Sequence, residues 1–303
     1  MSERNVSSRV DEQESHCLRV PSFHYGSGGL ISFESSVVQE LVVRLVVNGQ
    51  QADTLTCSPW NVEELTYGRL YFNGIIRRAS DVIDMRIDVD AGLVDVLISD
   101  TMGAASDSLL EERSVLSYVT PRWIIDNMAQ FEANSGLFRR TGGMHGAAIA
   151  DAGGFLARFD DVGRHNAMDK LVGWCLTNSV DASDKVVLFS GRVPWGIIDR
   201  VVKLGAYAII SPGAPTDMSI KIAGQNQIML VGFAKNGEFN IYAHEELLSD
   251  GAEKNAVLLA EERKLCERHD SRAAAHRGWA CECRWRGNHR AGERSDAQGL
   301  RRI

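Results

Sequence analysis

Short apolar runs alternate with segments of helical pattern in the second half of this chain, and this alternation limits the possible folds more than any other feature. The alternating segments, strand first, are 186–190, 197–204, 207–211, 217–223 and 228–233. Strands that alternate with helices of this length lie parallel in one sheet and are joined by helical crossovers. The sequence therefore predicts a βαβαβ unit, followed by a short antiparallel strand at 239–243 after the Asn236-Gly237 turn.

The loops after the three predicted parallel strands are rich in ligand-binding chemistry. They are Gly191-Arg192, Pro212–Thr216 and Ala234–Glu238. In open α/β sheets, ligands bind outside the carboxyl ends of the strands, which is where these loops lie. Because the loops supply glycines, hydroxyl groups and cations, they suit a ligand that carries phosphate. No GxGxxG fingerprint follows a strand, so the pattern does not indicate an NAD-dependent dehydrogenase.

A second group of polar signatures lies between residues 138 and 170. Thr141-Gly-Gly-Met-His145 is followed by the segment 161–170, Asp-Val-Gly-Arg-His-Asn-Ala-Met-Asp-Lys. Glycines allow positive φ angles and let a ligand approach the main chain closely. The guanidinium of Arg164 can bind oxyanions, and His145 and His165 can transfer protons near neutral pH. The stretch is therefore interpreted as one wall of a binding site.

Each of these side chains also has a purely structural interpretation. Arg164, Arg192 and Lys235 could be surface cations that pair with the abundant acidic side chains. His145 and His165 could be buried histidines that tie loops together through hydrogen bonds. The Pro-Cys-x-x-Cys half of a zinc deaminase signature is absent, so no catalytic metal is expected.

Two helices are predicted to flank the glycine-rich stretch. Thr120-Pro121 is typical of a helix start, and this helix is expected to end near Gly136. Asn166 is predicted to cap the second helix, with Asp169 in its first turn. The apolar positions of the two helices are Ile124, Met128 and Phe131 in the first, and Met168, Leu171, Val172 and Cys175 in the second.

The first half of the chain predicts a smaller α+β domain. Asn48-Gly49 predicts a hairpin, because both positions of a two-residue turn need positive φ angles. Ser58 is predicted to cap a helix that has Pro59 at its first position and stops at Gly74. The predicted strands of the two hairpins are 37–47 with 52–56, and 82–89 with 93–99.

Taken along the chain, these patterns predict five parts. They are a flexible N-terminal arm at 1–30, a small α+β domain at 31–100, a connector at 101–120, an α/β cofactor-binding domain at 121–248, and a basic tail at 249–303 that is expected to be disordered.

Charge and composition exclude several classes of partner. Residues 263–303 carry 11 Lys/Arg and 5 Asp/Glu, which leaves 22 basic and 35 acidic side chains on the rest of the chain. We therefore do not expect this acidic part of the chain to have the basic face that non-specific binding of nucleic acid needs. The apolar runs are far shorter than the ~20 residues of a membrane helix, and no signal peptide is visible. Six scattered cysteines do not form a disulfide framework, so the sequence favours a reducing cytoplasm and no membrane partner.

The motifs resemble those of the formate dehydrogenase accessory proteins known as FdhD. Members of that family carry a TGG-x-H-x-A-A element followed by an E/D-DVGRHNA-x-DK element, which correspond to the segments that begin at Thr141 and Asp160 here. The resemblance covers about residues 37–245. Other matches, in order, are Asn48-Gly49, Cys57-Ser58-Pro59, Glu63-Glu64-Leu65, Gly74-Ile75-Ile76, Ser190-Gly191-Arg192, Ala214-Pro215-Thr216, Val231-Gly232-Phe233 and Asn240-Ile241-Tyr242.

The resemblance implies a cytidine-deaminase-like fold for the C-terminal domain and a homodimer. It also implies a sulfur carrier that passes sulfur from a cysteine desulfurase to the molybdenum cofactor of formate dehydrogenase, Mo-bis(molybdopterin guanine dinucleotide). The segment 233–238 matches the family's cofactor-binding stretch, although Glu238 stands where a basic residue is often found. The predicted cofactor-binding residues are His145, Arg164, His165, Arg192, Thr216, Phe233, Ala234, Lys235, Asn236, Gly237 and Glu238.

The cysteines depart from the family pattern. The family carries sulfur on a Cys-x-x-Cys loop before the TGG-x-H element, whereas the interval from Asp100 to Thr120 contains no cysteine here. We predict that Cys57 and Cys175 are buried, and that only Cys281 and Cys283 have cationic neighbours that would favour a thiolate. The six cysteines are Cys17, Cys57, Cys175, Cys266, Cys281 and Cys283.

Three functions therefore remain open from the sequence. The chain could be a sulfurtransferase that uses a relocated thiol. It could be a cofactor-binding chaperone that has lost sulfur transfer. It could also be an unrelated enzyme that uses His145 or His165 on the same scaffold.

Overall fold

Three β-sheets form the framework of the protein in this computed structural model, which describes residues 17–99 and 113–249. Within those residues the sheets have two, four and six strands. The first part of the predicted arm, most of the predicted connector and nearly all of the predicted tail lie outside the described residues. No helix in the described part of the chain is long and apolar enough to cross a bilayer.

The first half of the chain forms the two smaller sheets. Its elements are β1 (Cys17–Gly26), β2 (Gly29–Val38), β3 (Leu41–Val47), β4 (Gln50–Cys57), α1 (Val62–Phe72), β5 (Val82–Asp88) and β6 (Leu93–Ile98). β1 and β2 pair along their full length as an antiparallel ribbon. The four-stranded sheet has the order β4-β3-β6-β5, in which β3 and β6 are parallel and the other pairs are antiparallel.

Both hairpins predicted for this half are present. Asn48 and Gly49 have φ angles of 48° and 77°, as a two-residue turn between β3 and β4 requires. β5 and β6 form the second hairpin. Alternate residues of the sheet point inward, and α1 covers them with Leu65 and Leu70. The sheet is therefore buried on the face that α1 covers.

Two predictions for this half are wrong. Residues 17–30 are not part of a flexible arm, because they form β1 and the start of β2 around a turn in which Gly29 has a φ of 91°. Helix α1 begins at Val62 and not beside Ser58, and the residue before it, Asn61, makes no side-chain cap. Ser58 does not cap the helix because its backbone and hydroxyl bind a distant loop, as the site geometry below shows.

The second half of the chain forms the six-stranded sheet and its helices. Its elements are α2 (Pro121–Ala133), α3 (Gly136–Thr141), β7 (His145–Asp151), β8 (Gly154–Asp161), α4 (Arg164–Thr177), β9 (Val186–Phe189), α5 (Trp195–Leu204), β10 (Ala208–Ile210), α6 (Asp217–Gln225), β11 (Met229–Lys235) and β12 (Glu238–Ala243). The strand order is β12-β11-β10-β9-β7-β8.

The predicted βαβαβ unit is confirmed. β9, β10 and β11 are parallel neighbours, and α5 and α6 are the crossovers between them. β12 returns antiparallel to β11 through a turn in which Asn236 and Gly237 have φ angles of 56° and 81°. Thr120 caps α2, as predicted, by accepting a hydrogen bond from the N–H of Trp123.

The glycine-rich stretch is more regular than its composition suggests. Instead of an irregular wall, it contains the β7–β8 hairpin, in which the run 147–150 is fully buried. β7 is buried because it lies between β8 and β9 inside the sheet, and its small side chains fit between the helices on both faces. The short helix α3, which ends at Gly142 with a φ of 68°, was not predicted.

Helices cover both faces of the six-stranded sheet. α4, α5 and α6 pack on one face, where Met168, Leu171 and Ile197 belong to one apolar core. α2 packs on the other face through the predicted stripe of Ile124, Met128 and Phe131. The α/β class predicted from the sequence is therefore confirmed.

Helices α1 and α4 touch at their backbones. A Cβ atom at Gly68 of α1 would lie 1.8 Å from the carbonyl oxygen of Asp169, and one at Gly173 of α4 would lie 1.9 Å from the carbonyl oxygen of Glu64. These two glycines are thus what allows the smaller sheet to dock on the larger one. The predicted domain limits at 31–100 and 121–248 stay predictions.

Candidate functional site

A cavity of about 830 Å³ lies beside the carboxyl end of β11. Helix α2 gives it an apolar wall that includes Ile124, Met128 and Phe131. The β11–β12 hairpin, the start of β7 and the end of β8 supply its polar groups. A cavity of this size is typical of sites for small molecules and cofactors.

The structure brings six of the predicted cofactor-binding residues together in the wall of this cavity. They are His145, Ala234, Lys235, Asn236, Gly237 and Glu238. Ser190 and Pro212, from the loops after β9 and β10, also line it. The loops that follow the three parallel strands therefore meet at one cavity, as the topology predicts.

The other predicted residues lie outside the cavity wall. Phe233 has a φ of 53° and an exposed ring that packs near Tyr242. Thr216 caps α6 by accepting a hydrogen bond from the N–H of Ser219. Arg164 and Arg192 are exposed and form no ion pair with the described residues. Their binding roles, with that of His165, stay predictions.

The β11–β12 hairpin is fixed to the neighbouring loop by backbone hydrogen bonds. The N–H of Phe233 donates to the carbonyl oxygen of Gly213 at 3.2 Å, and the N–H of Ala234 donates to that of Ser211 at 3.0 Å. A Cβ atom at Gly232 would lie 2.9 Å from Pro215 Cδ, so the approach depends on glycine. The cavity wall at β11 is therefore held by the loop after β10.

Two opposite charges stand at the tip of that hairpin. Lys235 and Glu238 are paired in register, and both side chains are exposed at the cavity. Neither forms an ion pair with another side chain in the described part of the protein. Lys235 is thus a cation available to a ligand, while Glu238 would repel an anion that came close to it.

His145 is held neutral at the cavity wall. Burial lowers its pKa, and the nearby Arg164 guanidinium lowers it further. Its Nδ1 atom lies 3.3 Å from the hydroxyl of Ser190, and that hydroxyl accepts the N–H of Gly146 at 2.9 Å. In the tautomer in which the Ser190 hydroxyl donates to Nδ1, the Nε2–H of His145 is a donor.

His165 is also held neutral, but in a different setting. Burial lowers its pKa to about 4, with Arg200, Arg164 and Arg69 adding to the effect. A Cβ atom at Gly196 would lie 2.9 Å from its Nε2 atom. The ring is therefore packed against the start of α5, close to the cations and outside the cavity wall.

Asp161 organises the loop that carries Arg164 and His165. Its fully buried carboxylate pairs with Lys170 at 2.6 Å and accepts hydrogen bonds from the N–H groups of Ser58 and Gly163. Asn166 does not cap α4 as predicted. Its side-chain amide donates instead to Asp161 at 2.9 Å and to the carbonyl oxygen of Thr56 at 2.7 Å. One carboxylate thus ties the end of β4 to the start of α4.

A second buried ion pair is formed by Asp169 of α4, the residue before Lys170. Asp169 was predicted as a first-turn carboxylate that suits the helix dipole, and its carboxylate is fully buried against Arg200 of α5. The guanidinium binds both carboxylate oxygens, at 2.6 and 3.0 Å, and its Cζ atom lies 3.7 Å from the centre of the Phe72 ring. Arg69 of α1 approaches Asp169 at 3.4 Å. This pair joins three helices behind His165.

Sequence reasoning missed several polar residues that line the cavity, among them Arg158 and Asp160 of β8. Their signal is the alternation of β8, in which Ala157, Phe159 and Asp161 face one core while Arg158 and Asp160 face the opposite side. Because this stretch was interpreted as a glycine-rich loop, the alternation of buried and exposed residues along β8 was overlooked.

Comparison with known proteins decides the family. The sequence model of the FdhD/NarQ family matches residues 98–249. "Sulfur carrier protein FdhD" of Staphylococcus aureus (strain Newman) is 33% identical over 256 residues, which is 77% of this chain and 97% of that protein. The protein of the same name from strain MRSA252 is 32% identical over the same length. The chain belongs to the FdhD/NarQ family.

A solved structure agrees on the fold of this FdhD family member. A candidate formate dehydrogenase accessory protein from Desulfotalea psychrophila superposes with a TM-score of 0.67 at 21% identity, covering 77% of this chain and 99% of that one. The family predicted from the sequence motifs is confirmed. The similarity in fold extends into both halves of the chain, because 77% of this chain is matched.

Two of the described cysteines of this FdhD family member, Cys57 and Cys175, are poor nucleophiles. Cys57 and Cys175 are buried, as predicted, and burial raises the pKa of each thiol to about 12. For Cys57 the nearby Asp161 carboxylate contributes to this increase, since it opposes a thiolate, and Lys170 acts in the opposite direction. Cys17 is free and half-buried in β1. Cys266, Cys281 and Cys283 lie outside the described residues.

No group of three or more His, Cys, Asp or Glu side chains within residues 17–99 and 113–249 is arranged to hold a metal ion. The wall of the cavity offers cations, the carboxylates of Glu132, Asp160 and Glu238, and the imidazole of His145.

Proposed function

We propose that this chain is an accessory protein for formate dehydrogenase that holds the guanine nucleotide end of Mo-bis(molybdopterin guanine dinucleotide) in the cavity beside β11. The cofactor is its substrate, and the apoenzyme and a cysteine desulfurase are its partners. The observation that carries the proposal is Lys235, an exposed cation without a carboxylate partner among the described residues, at the wall of a nucleotide-sized cavity. The names of the relatives, sulfur carrier and formate dehydrogenase accessory protein, support it.

The wall residues divide the work of binding in this proposal. Lys235 supplies positive charge for the diphosphate, and the neutral His145 supplies an N–H donor for an oxygen of the ligand. The diphosphate lies nearer to Lys235 than to Glu238, because the Glu238 carboxylate repels it. Arg164 and Arg192 stand outside the wall as further cations for the part of the cofactor that extends from the cavity.

A second candidate function is sulfur transfer itself, which the name of the Staphylococcus aureus relatives favours. Sulfur carriage needs an accessible thiolate. Cys57 and Cys175 lack this, because both are buried and have a raised pKa. We therefore propose that residues 17–99 and 113–249 bind the cofactor and that neither Cys57 nor Cys175 carries sulfur.

Titration with GDP tests the binding proposal. We expect GDP to bind in the micromolar to millimolar range and Lys235→Ala to weaken it about tenfold or more, since a hydrogen bond to a charged group contributes about 1.5–3 kcal/mol. Calorimetry at fixed ionic strength measures both affinities. The matched control is Lys221→Ala, which removes an exposed lysine of α6 away from the cavity wall. Equal affinity in the wild type and in a Lys235→Ala, Arg192→Ala double variant would contradict the assignment.

A further inference from the structure

Arg158 and Asp160 form a paired edge in the wall of the cavity that the phosphate-binding role does not use. The Nε and Nη2 atoms of Arg158 donate to the two carboxylate oxygens of Asp160, at 3.1 and 2.9 Å. The Nη1 atom donates to the carbonyl oxygen of Phe131, and the Phe131 ring lies 4.5 Å below the guanidinium. Only 17% of the Arg158 side chain and 13% of the Asp160 side chain are exposed.

The guanidinium retains hydrogen-bonding capacity. Arginine has five N–H donors, and the contacts of Arg158 within the described residues use three of them. The two that remain are one N–H on Nη1 and one on Nη2. These two groups form the planar end of the guanidinium, which fits a ligand edge with two adjacent acceptors.

The pair carries little net charge, and this separates its role from that of Lys235. The carboxylate of Asp160 compensates the cation of Arg158 at hydrogen-bonding distance, so the edge attracts a dianion less than an unpaired lysine does. The apolar side chains of Met128 and Phe131 lie in the same wall. A compensated, half-buried edge beside apolar surface suits a neutral heterocyclic base better than a phosphate.

We propose that Arg158 reads the O6 and N7 acceptors of the guanine base, and that Asp160 is the positioning residue that holds its guanidinium in place. The proposal rests on the proposed function, because it assigns the base of the nucleotide whose phosphates Lys235 binds. Guanine presents two acceptors on this edge, whereas adenine replaces O6 with an amino donor that an arginine rejects. The cavity therefore selects guanine over adenine.

Gly146 of β7 makes this arrangement possible. A Cβ atom there would lie 2.8 Å from Oδ1 of Asp160, 3.0 Å from Nη2 of Arg158 and 3.2 Å from the Phe131 ring. Any side chain at this position would displace the pair from its place in the wall. A glycine at position 146 thus leaves the space that the Arg158 and Asp160 side chains occupy.

Nucleotide analogues test the proposal on the unmodified protein, so no variant needs to fold. We expect IDP, which keeps O6 and N7, to bind about as well as GDP. We expect 7-deaza-GDP, which lacks N7, and ADP, which lacks O6, each to bind about tenfold more weakly or worse. If IDP is weak and 7-deaza-GDP binds as well as GDP, the base is read through N1 and N2 and the proposal is overturned.

Variants then separate the base from the phosphates. Arg158→Gln should remove the preference for GDP over ADP and leave the affinity for pyrophosphate unchanged, and Asp160→Asn should reduce the preference. Arg122→Gln is the matched control, since Arg122 is an exposed arginine of α2 that pairs with Asp126 outside the cavity wall.

The outcomes distinguish this inference from the function on which it rests. If Lys235→Ala weakens GDP and pyrophosphate while Arg158→Gln keeps the full preference for guanine, the base assignment fails and the proposed function stands. If the wild type binds no guanine nucleotide at all, both fail.

Discussion

Two histidines of the site have lost basicity for the same two physical reasons, burial and neighbouring arginines. A neutral imidazole has one donor and one acceptor, and its environment decides which nitrogen carries the proton. One ring nitrogen of His145, Nδ1, is hydrogen-bonded to Ser190 at the cavity wall. His165 is packed against Gly196 and Arg200, so it contributes electrostatics to the fold more than contact to a ligand.

The lowered pKa of His165 predicts an acid-sensitive contribution to stability. Its pKa falls from the ordinary value of 6.5 to about 4 on folding. The unfolded chain therefore binds this proton more readily, and its uptake lowers the free energy of unfolding as the pH falls from 6.5 towards 4. This contribution to stability is fully present above pH 6.5 and has been lost once the pH is below about 4.

Urea denaturation of the wild type and of His165→Asn, at several pH values between 4 and 8, measures this effect. We expect the wild type to lose more stability than the variant over the acidic part of the range. Parallel pH profiles for the two proteins would contradict the assigned pKa. His24→Asn is the control, because His24 is an exposed histidine of β1.

At the scale of elements, the contact between α1 and α4 depends on two glycines, and this gives a sharp test of the docking. Gly68→Ala should lower the free energy of unfolding by about 3 kcal/mol or more, because the new Cβ atom meets main-chain atoms of α4 that have no rotamer to change.

The chain contains a matched control for this substitution. Gly224 of α6 has no atom within 4 Å of an added Cβ, so Gly224→Ala should raise the free energy of unfolding by about 0.5–1 kcal/mol through helix propensity alone. Thermal or urea denaturation compares the two variants. A neutral Gly68→Ala would mean that α1 is free to move away from α4.

The elements that could be predicted from the sequence are those with local signals. The βαβαβ unit, the Asn48-Gly49 turn and the Thr120 cap are each specified by residues that are neighbours in the chain, and all three are confirmed. Ser58 and Asn166 failed as predicted caps because their partners lie about a hundred residues away, at Asp161 and Thr56. Sequence spacing carries no information on such pairings.

The residues of the candidate site also fall into those with a local sequence signal and those without one. The 234–238 hairpin and His145 were predicted because turn glycines, a strand end and a family motif coincide there. Arg158 and Asp160 were missed because β8 lies at the opposite edge of the sheet from β12, and only the tertiary fold shows that its polar face lines the same cavity as α2. Arg192 and Thr216 were predicted from the loops after β9 and β10, and neither lies in the cavity wall.

At the scale of the whole molecule, the accessibility and pKa of the described cysteine thiols determine whether they can carry sulfur as a persulfide. We expect no mass increase of one sulfur atom on Cys57 or Cys175 after incubation with a cysteine desulfurase and cysteine, because both thiols are buried and have a raised pKa. Intact-mass analysis followed by proteolytic mapping makes the measurement.

The same experiment has a functional counterpart. We expect the chain not to replace a family member that keeps the Cys-x-x-Cys loop in formate dehydrogenase maturation. A stoichiometric persulfide on Cys57 that disappears in Cys57→Ala, together with maturation activity, would restore this residue as the carrier. Cys175→Ala is the control, since Cys175 is equally buried but lies on α4 away from the Asp161 carboxylate.

The buried indole of Trp60 hydrogen-bonds to Asp160, the residue that pairs with Arg158 in the cavity wall. Its Nε1–H donates to the carbonyl oxygen of Asp160 at 3.1 Å, and its ring lies 5.4 Å from the ammonium group of Lys170. Indole emission depends on the polarity and charge around the ring. A ligand that shifts β8 therefore changes the fluorescence of Trp60, and the protein carries its own optical probe of occupancy, which Trp60→Phe would silence.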